Sequence, residues 1–252
     1  MRTLKFTLQY DGTDYVGWQR QENGVSIQGL LEDALQRIEG TPVTVHGAGR
    51  TDAGVHALGQ VAHATLTASI AIDAVARALN AVLPHDVRVT AVEDAAPDFH
   101  ARFSAAGKVY RYRILNGVPG SPFDRRYSWH VRPSLDFDAM VDARAVLPGT
   151  HDYAAFAAAG GPYGSTVRTI TELRLTRGFA PWKVRGTLMT LDVEGDGFLR
   201  HMVRNIVGTL VDVGLRRWPP SRVAEILASR DRTLAGPTAP ASGLFLVRVH
   251  YR

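Results

Sequence analysis

The chain predicts an α+β fold with a largely antiparallel sheet. Segments with the two-residue period of strands alternate irregularly with helical segments in both halves, and the strands are short and hairpin-like. No phosphate-loop or GxGxxG string introduces a parallel βαβ unit; the nearest, GAGRTDAG at 47–54, has Asp52 where the third glycine belongs. No linker rich in Pro, Gly or Ser separates the halves, so two tightly joined subdomains sharing a sheet are expected.

In order along the chain, Leu4, Phe6, Leu8 and Tyr10 alternate with Lys5, Thr7 and Gln9, a half-buried strand that stops at the Asp11-Gly12 turn. Ser26 then supplies an N-cap, Ile27, Leu30, Leu31, Ala34, Leu35 and Ile38 a helical face, and Gly40 a stop. Strands are expected at 43–46, 60–66 and 87–92, with a helix over 71–83 ahead of Pro84. Ala105-Ala106-Gly107 is the least structured connection, dividing the chain into subdomains 1–105 and 106–252. Beyond it, 109–115 alternates as a strand, 136–147 reads as a helix, and 169–176 and 187–193 as strands. Leu199, Met202, Val203, Ile206, Val207, Leu210 and Val211 mark the best helical face of the chain. A short helix over 221–229 after Pro219-Pro220 and a closing strand over 244–251 complete it.

Composition narrows the chemistry. Basic residues outnumber acidic ones 29 to 24, giving a net charge of +5 and a pI near 9.7, which favours a polyanionic partner. The absence of cysteine excludes disulfides, thiolate metal sites, iron–sulfur clusters and a thiol nucleophile, and fits a reducing cytoplasm. The first residues alternate apolar with polar, and no run is long enough to span a bilayer, so a soluble, unexported protein is expected. The nine histidines show no HxxEH or HxH spacing and GxSxG is absent, which argues against a zinc site and a serine hydrolase.

Four groups of residues could carry chemistry. In GRTDAGVH at 49–56, Asp52 stands between Arg50 and Gly54, with Thr51 and His56 close by; a surface turn with a local ion pair is one reading and a reactive carboxylate the other. A neighbouring guanidinium keeps such an acid ionised, which suits a nucleophile or base but not a general acid. Tyr110 and Tyr112 alternate with Lys108, Arg111 and Arg113, as in strand packing or in a surface where bases stack and phosphates are neutralised. Arg204 follows the apolar Val203 and so lies at the boundary of a buried face, where a charge needs a partner; Asp52 is a candidate. Leu244 opens the final strand, in which both faces carry apolar residues, and could pack against a base.

Seven pieces now point one way: YDGTDYVGWQRQ at 10–21, SIQGLLEDAL at 26–35, GRTDAGVHA at 49–57, FHARFSA at 99–105, VYRYRI at 109–114, FLRHMVRNIVG at 198–208 and APASGLFLVRV at 239–249. In this order they resemble the tRNA pseudouridine synthases of the TruA type. The resemblance implies conversion of uridine to pseudouridine at positions 38, 39 and 40 of the tRNA anticodon stem-loop, without cofactor or metal, by a cytoplasmic homodimer. It implies two similar ferredoxin- or RRM-like subdomains sharing an extended antiparallel sheet with flanking helices. It assigns Asp52 as nucleophile, Arg204 as the partner of that acid, Tyr110 as the residue packing on the target base, Arg50 as an aid to base eversion and Leu244 as a pocket wall. The family varies at 160–165 and 179–183.

Elementary chemistry is compatible with these roles. The isomerisation breaks C1′–N1, turns the base over and joins C1′ to C5, so a carboxylate forming a transient covalent or ion-pair state is sufficient. Extracting the base from its stack costs a few kcal/mol, and Arg50 could fill the gap. Two other functions compete for the same residues: a non-catalytic RNA-binding module of two ferredoxin-like halves, and a metal-dependent nuclease using Asp11, Asp14 and Asp52.

Overall fold

The computed structural model describes residues 1–117, 119–161, 164–179 and 186–252; of the family-variable stretches, 162–163 and 180–183 lie outside the described residues. In chain order its elements are β1 (Arg2–Tyr10), α1 (Ile27–Glu39), β2 (His46–Gly47), β3 (His56–Leu66), α2 (Ile72–Val82), β4 (Val87–Ala95), β5 (Ala105–Asn116), β6 (Trp129–Val131), α3 (Phe137–Arg144), β7 (Gly149–Asp152), β8 (Val167–Phe179), β9 (Thr187–Gly195), α4 (Met202–Gly214), α5 (Arg222–Ser229) and β10 (Leu244–Tyr251). Two units divide the chain, one of Met1–Ala106 with Phe245–Arg252 and one of Gly107–Leu244.

In the first unit β1 pairs antiparallel with β3 on one side and β4 on the other. β2 joins β3 antiparallel through His46↔His63, and β10 joins it parallel through Phe245↔His56 and Leu246↔Ala57. The alternation in β1 does what its period predicts: Leu4, Phe6 and Leu8 are fully buried, while Lys5 and Thr7 on the other face stay half-buried. α1 starts where Ser26 Oγ accepts the Gly29 N–H at 3.2 Å and stops at Gly40 with φ 78°. Its face of Ile27, Leu31 and Leu35 is buried, and α2 packs beside it and on β4.

In the second unit β9 lies between β5 and β8, antiparallel to both. β7 extends the sheet antiparallel beyond β8, and β6 pairs parallel with the end of β5. Within each unit the sheet is therefore mostly antiparallel, as the pattern predicts. α3 packs against α4 and α5, and α4 is buried along nearly its whole length.

Some boundaries differ from expectation. Ala105 to Gly107, read as a connection, is the extended start of β5, because small side chains carry no pattern from which a strand can be read. Of 43–46 only His46 is in a strand, although Val43 and Val45 are buried. α4 begins at Met202, after His201 adopts a left-handed conformation with φ 62°, so Leu199 packs from the preceding turn. The last strand from Phe245 on groups with the first unit, because its pairing to β3 draws it there, whereas the sequence pattern assigns 106–252 to one subdomain.

Candidate active site

Asp52 lies on the connection between β2 and β3, half-buried, with Arg50 exposed two residues before it. The connection is pinned from several sides. Ala48 N–H donates to Val61 O at 2.7 Å. Gln60, fully buried on β3, donates its amide to Gly49 O at 2.9 Å and to the Tyr10 hydroxyl at 3.3 Å. The Tyr10 hydroxyl lies 2.9 Å from Thr51 Oγ1, and Trp18 N–H donates to Thr51 O at 3.0 Å. The Gln60 amide donates to the Tyr10 hydroxyl, and the Tyr10 and Thr51 hydroxyls share a hydrogen bond in which either can donate. Burial pushes the Tyr10 phenol up to about 12, with its bonds to Thr51 and Gln60 pulling the other way, so it remains a protonated donor.

Two glycines allow this packing. Gly17, at φ 105°, approaches so closely that a Cβ there would stand 2.6 Å from Thr51 O. Gly54, at φ 77°, completes the turn that follows the acid, in which Val55 N–H donates to Asp52 O at 3.1 Å. His56, buried, faces inward: its Nδ1 accepts the Gly12 N–H at 3.0 Å, stands 3.1 Å from Asp11 Oδ1, and its ring stacks on Phe245 at 4.7 Å. Asp11 in turn accepts from Thr13 N–H at 3.0 Å and Thr13 Oγ1 at 2.5 Å, closing a local turn. Among the described residues, no group of three His, Cys, Asp or Glu side chains is arranged to hold a metal.

In the second unit the expected residues gather around Tyr112. Its hydroxyl donates to Pro240 O at 2.8 Å, and Gly243 lies so close that a Cβ there would stand 2.5 Å from the ring. Leu244, buried, follows directly. Burial pushes the Tyr112 phenol well up and the Arg204 cation draws it partly back, which places Arg204 in the same neighbourhood. Arg204, half-buried in the first turn of α4, is tied to this segment by two bonds: its Nε donates to Ala239 O at 2.7 Å, and Ala239 N–H donates to Arg204 O at 3.2 Å. Tyr110 shares the Tyr112 face of β5 and meets Phe198 edge-on at 5.1 Å. One residue beyond Arg204, the fully buried Asn205 donates to Phe156 O at 2.8 Å and accepts from Thr238 Oγ1 at 2.7 Å and Arg232 Nη2 at 3.1 Å, a hub that fixes the start of α4.

Thus Asp52 and Arg50 share a loop of the first unit, whereas Tyr110, Arg204 and Leu244 belong to the second. From the sequence the tyrosine and tryptophan of 10–20 could bind or merely pack a loop, while Gln60 goes unmarked as a support of the acid. Tyr10 sits in a normal strand alternation, and the one available signal for Gln60 is a polar residue inside a run that becomes buried. A surface cavity of about 330 Å³ lined by Asp136, Arg216, Arg217 and Trp218 includes none of the five expected residues. No helix among the described residues is long and apolar enough to cross a membrane.

A family model described as tRNA pseudouridine synthase matches residues 7–104 and 143–252. The tRNA pseudouridine synthase A of Moorella thermoacetica is 47% identical over 253 residues, covering all of both chains. That of Pelobacter propionicus is 46% identical over 251 residues, again covering all of both chains. That of Myxococcus xanthus is 48% identical over 252 residues, covering all of this chain and 93% of that one.

Proposed function

The chain belongs to the tRNA pseudouridine synthase family, and on that premise we propose that it isomerises uridine to pseudouridine at positions 38, 39 and 40 of the tRNA anticodon stem-loop, with Asp52 as nucleophile. The observation that carries the proposal is the immobilised GRTD loop: buried partners fix Gly49 and Thr51 on either side of Arg50, while Asp52 itself is left half-buried and Arg50 exposed. A nucleophile of this kind works by position, since a held geometry converts a bimolecular step into an effectively unimolecular one.

In the proposed reaction the C1′–N1 bond breaks while Asp52 forms a transient covalent or ion-pair state with one fragment, the uracil turns over, C5 bonds to C1′ as Asp52 is released, and the C5 proton departs as N1 gains one. No redox change or group donor enters. Arg50, exposed and cationic, takes the space of the everted nucleotide; Tyr110 and Leu244 wall the freed base and keep water out. Arg204 is the proposed electrostatic partner of the acid, its side chain preorganised by Ala239 O. The protein is proposed to act in the cytoplasm as a homodimer, with tRNA as its partner.

Incubation with an unmodified tRNA transcript, followed by mapping of pseudouridine along the strand, tests the target. Pseudouridine confined to positions 38 to 40 is the expected result; modification elsewhere alone overturns the assignment.

A further inference from the structure

The FHARFSA motif takes no part in the chemistry above, yet the first unit spends many contacts on it. Residues 99–104 form a tight turn: Ser104 N–H donates to His100 O at 2.9 Å, His100 N–H to Ser104 Oγ at 3.1 Å, and Arg102 N–H to His100 Nδ1 at 3.1 Å. The turn is fastened to the sheet, because Ala101 N–H donates to His63 Nδ1 on β3 at 3.1 Å and Tyr251 Oη on β10 donates to Ala101 O at 2.7 Å. Ala101 is fully buried as a result, while Phe103, two residues on, is 76% exposed. An aromatic ring left in water by a mobile loop is unremarkable; one held there by a turn with this many anchors is being presented.

The ring's neighbours define what it is presented to. His100 packs 4.3 Å from it at a shallow 34° tilt, and the exposed Arg102 guanidinium sits 5.6 Å from its centroid. His46 adds a further exposed ring 5.3 Å from His100. Two acids of β4 in this unit, Glu93 and Asp94, are engaged by Lys5 at 2.8 Å and Arg2 at 3.0 Å, which moderates their repulsion of an anion. An aromatic face with a cation beside it is the combination that stacks an unpaired base and meets the adjoining phosphate. The patch also adjoins the acid loop along the chain: Arg50 follows His46 by four residues, a span of at most about 14 Å.

We infer that this turn is a second RNA-contact surface, on which Phe103 stacks an unpaired base of the substrate tRNA outside the reacting nucleotide and Arg102 contacts a phosphate. The inference rests on the tRNA substrate proposed above. It gives the enzyme a grip on its RNA that is separate from the residues handling the target uridine.

The test measures equilibrium binding of the full-length protein to a tRNA transcript by fluorescence anisotropy, alongside tritium release from tRNA labelled at uridine C5. Phe103→Ala is expected to raise Kd and KM about ten-fold and to leave kcat within about two-fold; Phe103→Tyr retains binding, and Phe103→Leu behaves like alanine. Arg102→Gln weakens binding and reduces the slope of log K against log salt by about one. Because Phe103 is exposed, these variants are expected to keep the wild-type melting temperature. If Phe103→Ala binds and turns over as wild type does, the second surface is overturned while the isomerase reading stands; if wild type neither binds nor modifies tRNA, that reading fails as well. Binding restored by leucine, or a changed sedimentation coefficient in Phe103→Ala, marks an apolar or protein–protein contact and overturns the inference.

Discussion

Thr51, next to Asp52, is one of the anchors of its loop, and the Tyr10 hydroxyl is the side-chain partner of Thr51. Both residues are buried, as is Gln60, so the chain from Gln60 through Tyr10 to Thr51 has few water molecules to replace a lost partner. Tyr10→Phe leaves the Gln60 amide one acceptor short and removes the side-chain partner of Thr51 Oγ1. A cost of about 1–3 kcal/mol is expected in urea unfolding. If the hydroxyl also positions the acid, kcat falls by more than KM rises; a variant that loses stability but keeps full kcat would limit Tyr10 to a structural part. Much of this site is legible in the sequence, since GRTD stands out by its glycines and its paired charges. The supports are not, because Tyr10 obeys the period of a plain core strand and Gln60 reveals its role only when the chain brings it beneath Gly49.

The turn 99–104 shows how one element depends on the protonation of another. His63 on β3 accepts the Ala101 N–H through Nδ1, a bond that requires this nitrogen to be unprotonated. Burial, reinforced by the neighbouring His100 and then His46, lowers the His63 pKa from 6.5 to about 4. Between these values the unfolded chain binds the proton and the folded one does not, so stability rises with pH across the window. The melting temperature is therefore expected to hold above pH 6.5 and to drop as pH falls through about 4, with protection of the Ala101 amide from hydrogen exchange lost first. His63→Gln, whose side-chain oxygen can still accept, should flatten the slope; an unchanged slope would place the acid sensitivity elsewhere. Sequence patterning finds the elements involved unevenly. Long periodic ones such as α1 and β1 are read almost to their ends, whereas β2, β6 and β7, at two, three and four residues, are too short to display a period. The left-handed conformation of His201 just before α4 is likewise invisible, because nothing in LRHM marks a residue at positive φ.

At the scale of the molecule, the match to the tRNA pseudouridine synthase family comes with a basic chain without cysteine and two units built on mostly antiparallel sheet. What the sequence hides at this scale is the path of the chain. The last strand returns to pair with β3 at His56 and Ala57, immediately after the GRTD loop, and local periodicity contains no information about such a distant pairing. The central claim, that Asp52 isomerises uridine, is tested most directly by tritium release from tRNA labelled at uridine C5, with neither cofactor nor metal added, comparing wild type with Asp52→Asn. Release by wild type that persists in a chelator is expected, and none by the variant although it still binds tRNA. Release by Asp52→Asn at the wild-type rate would contradict the claim.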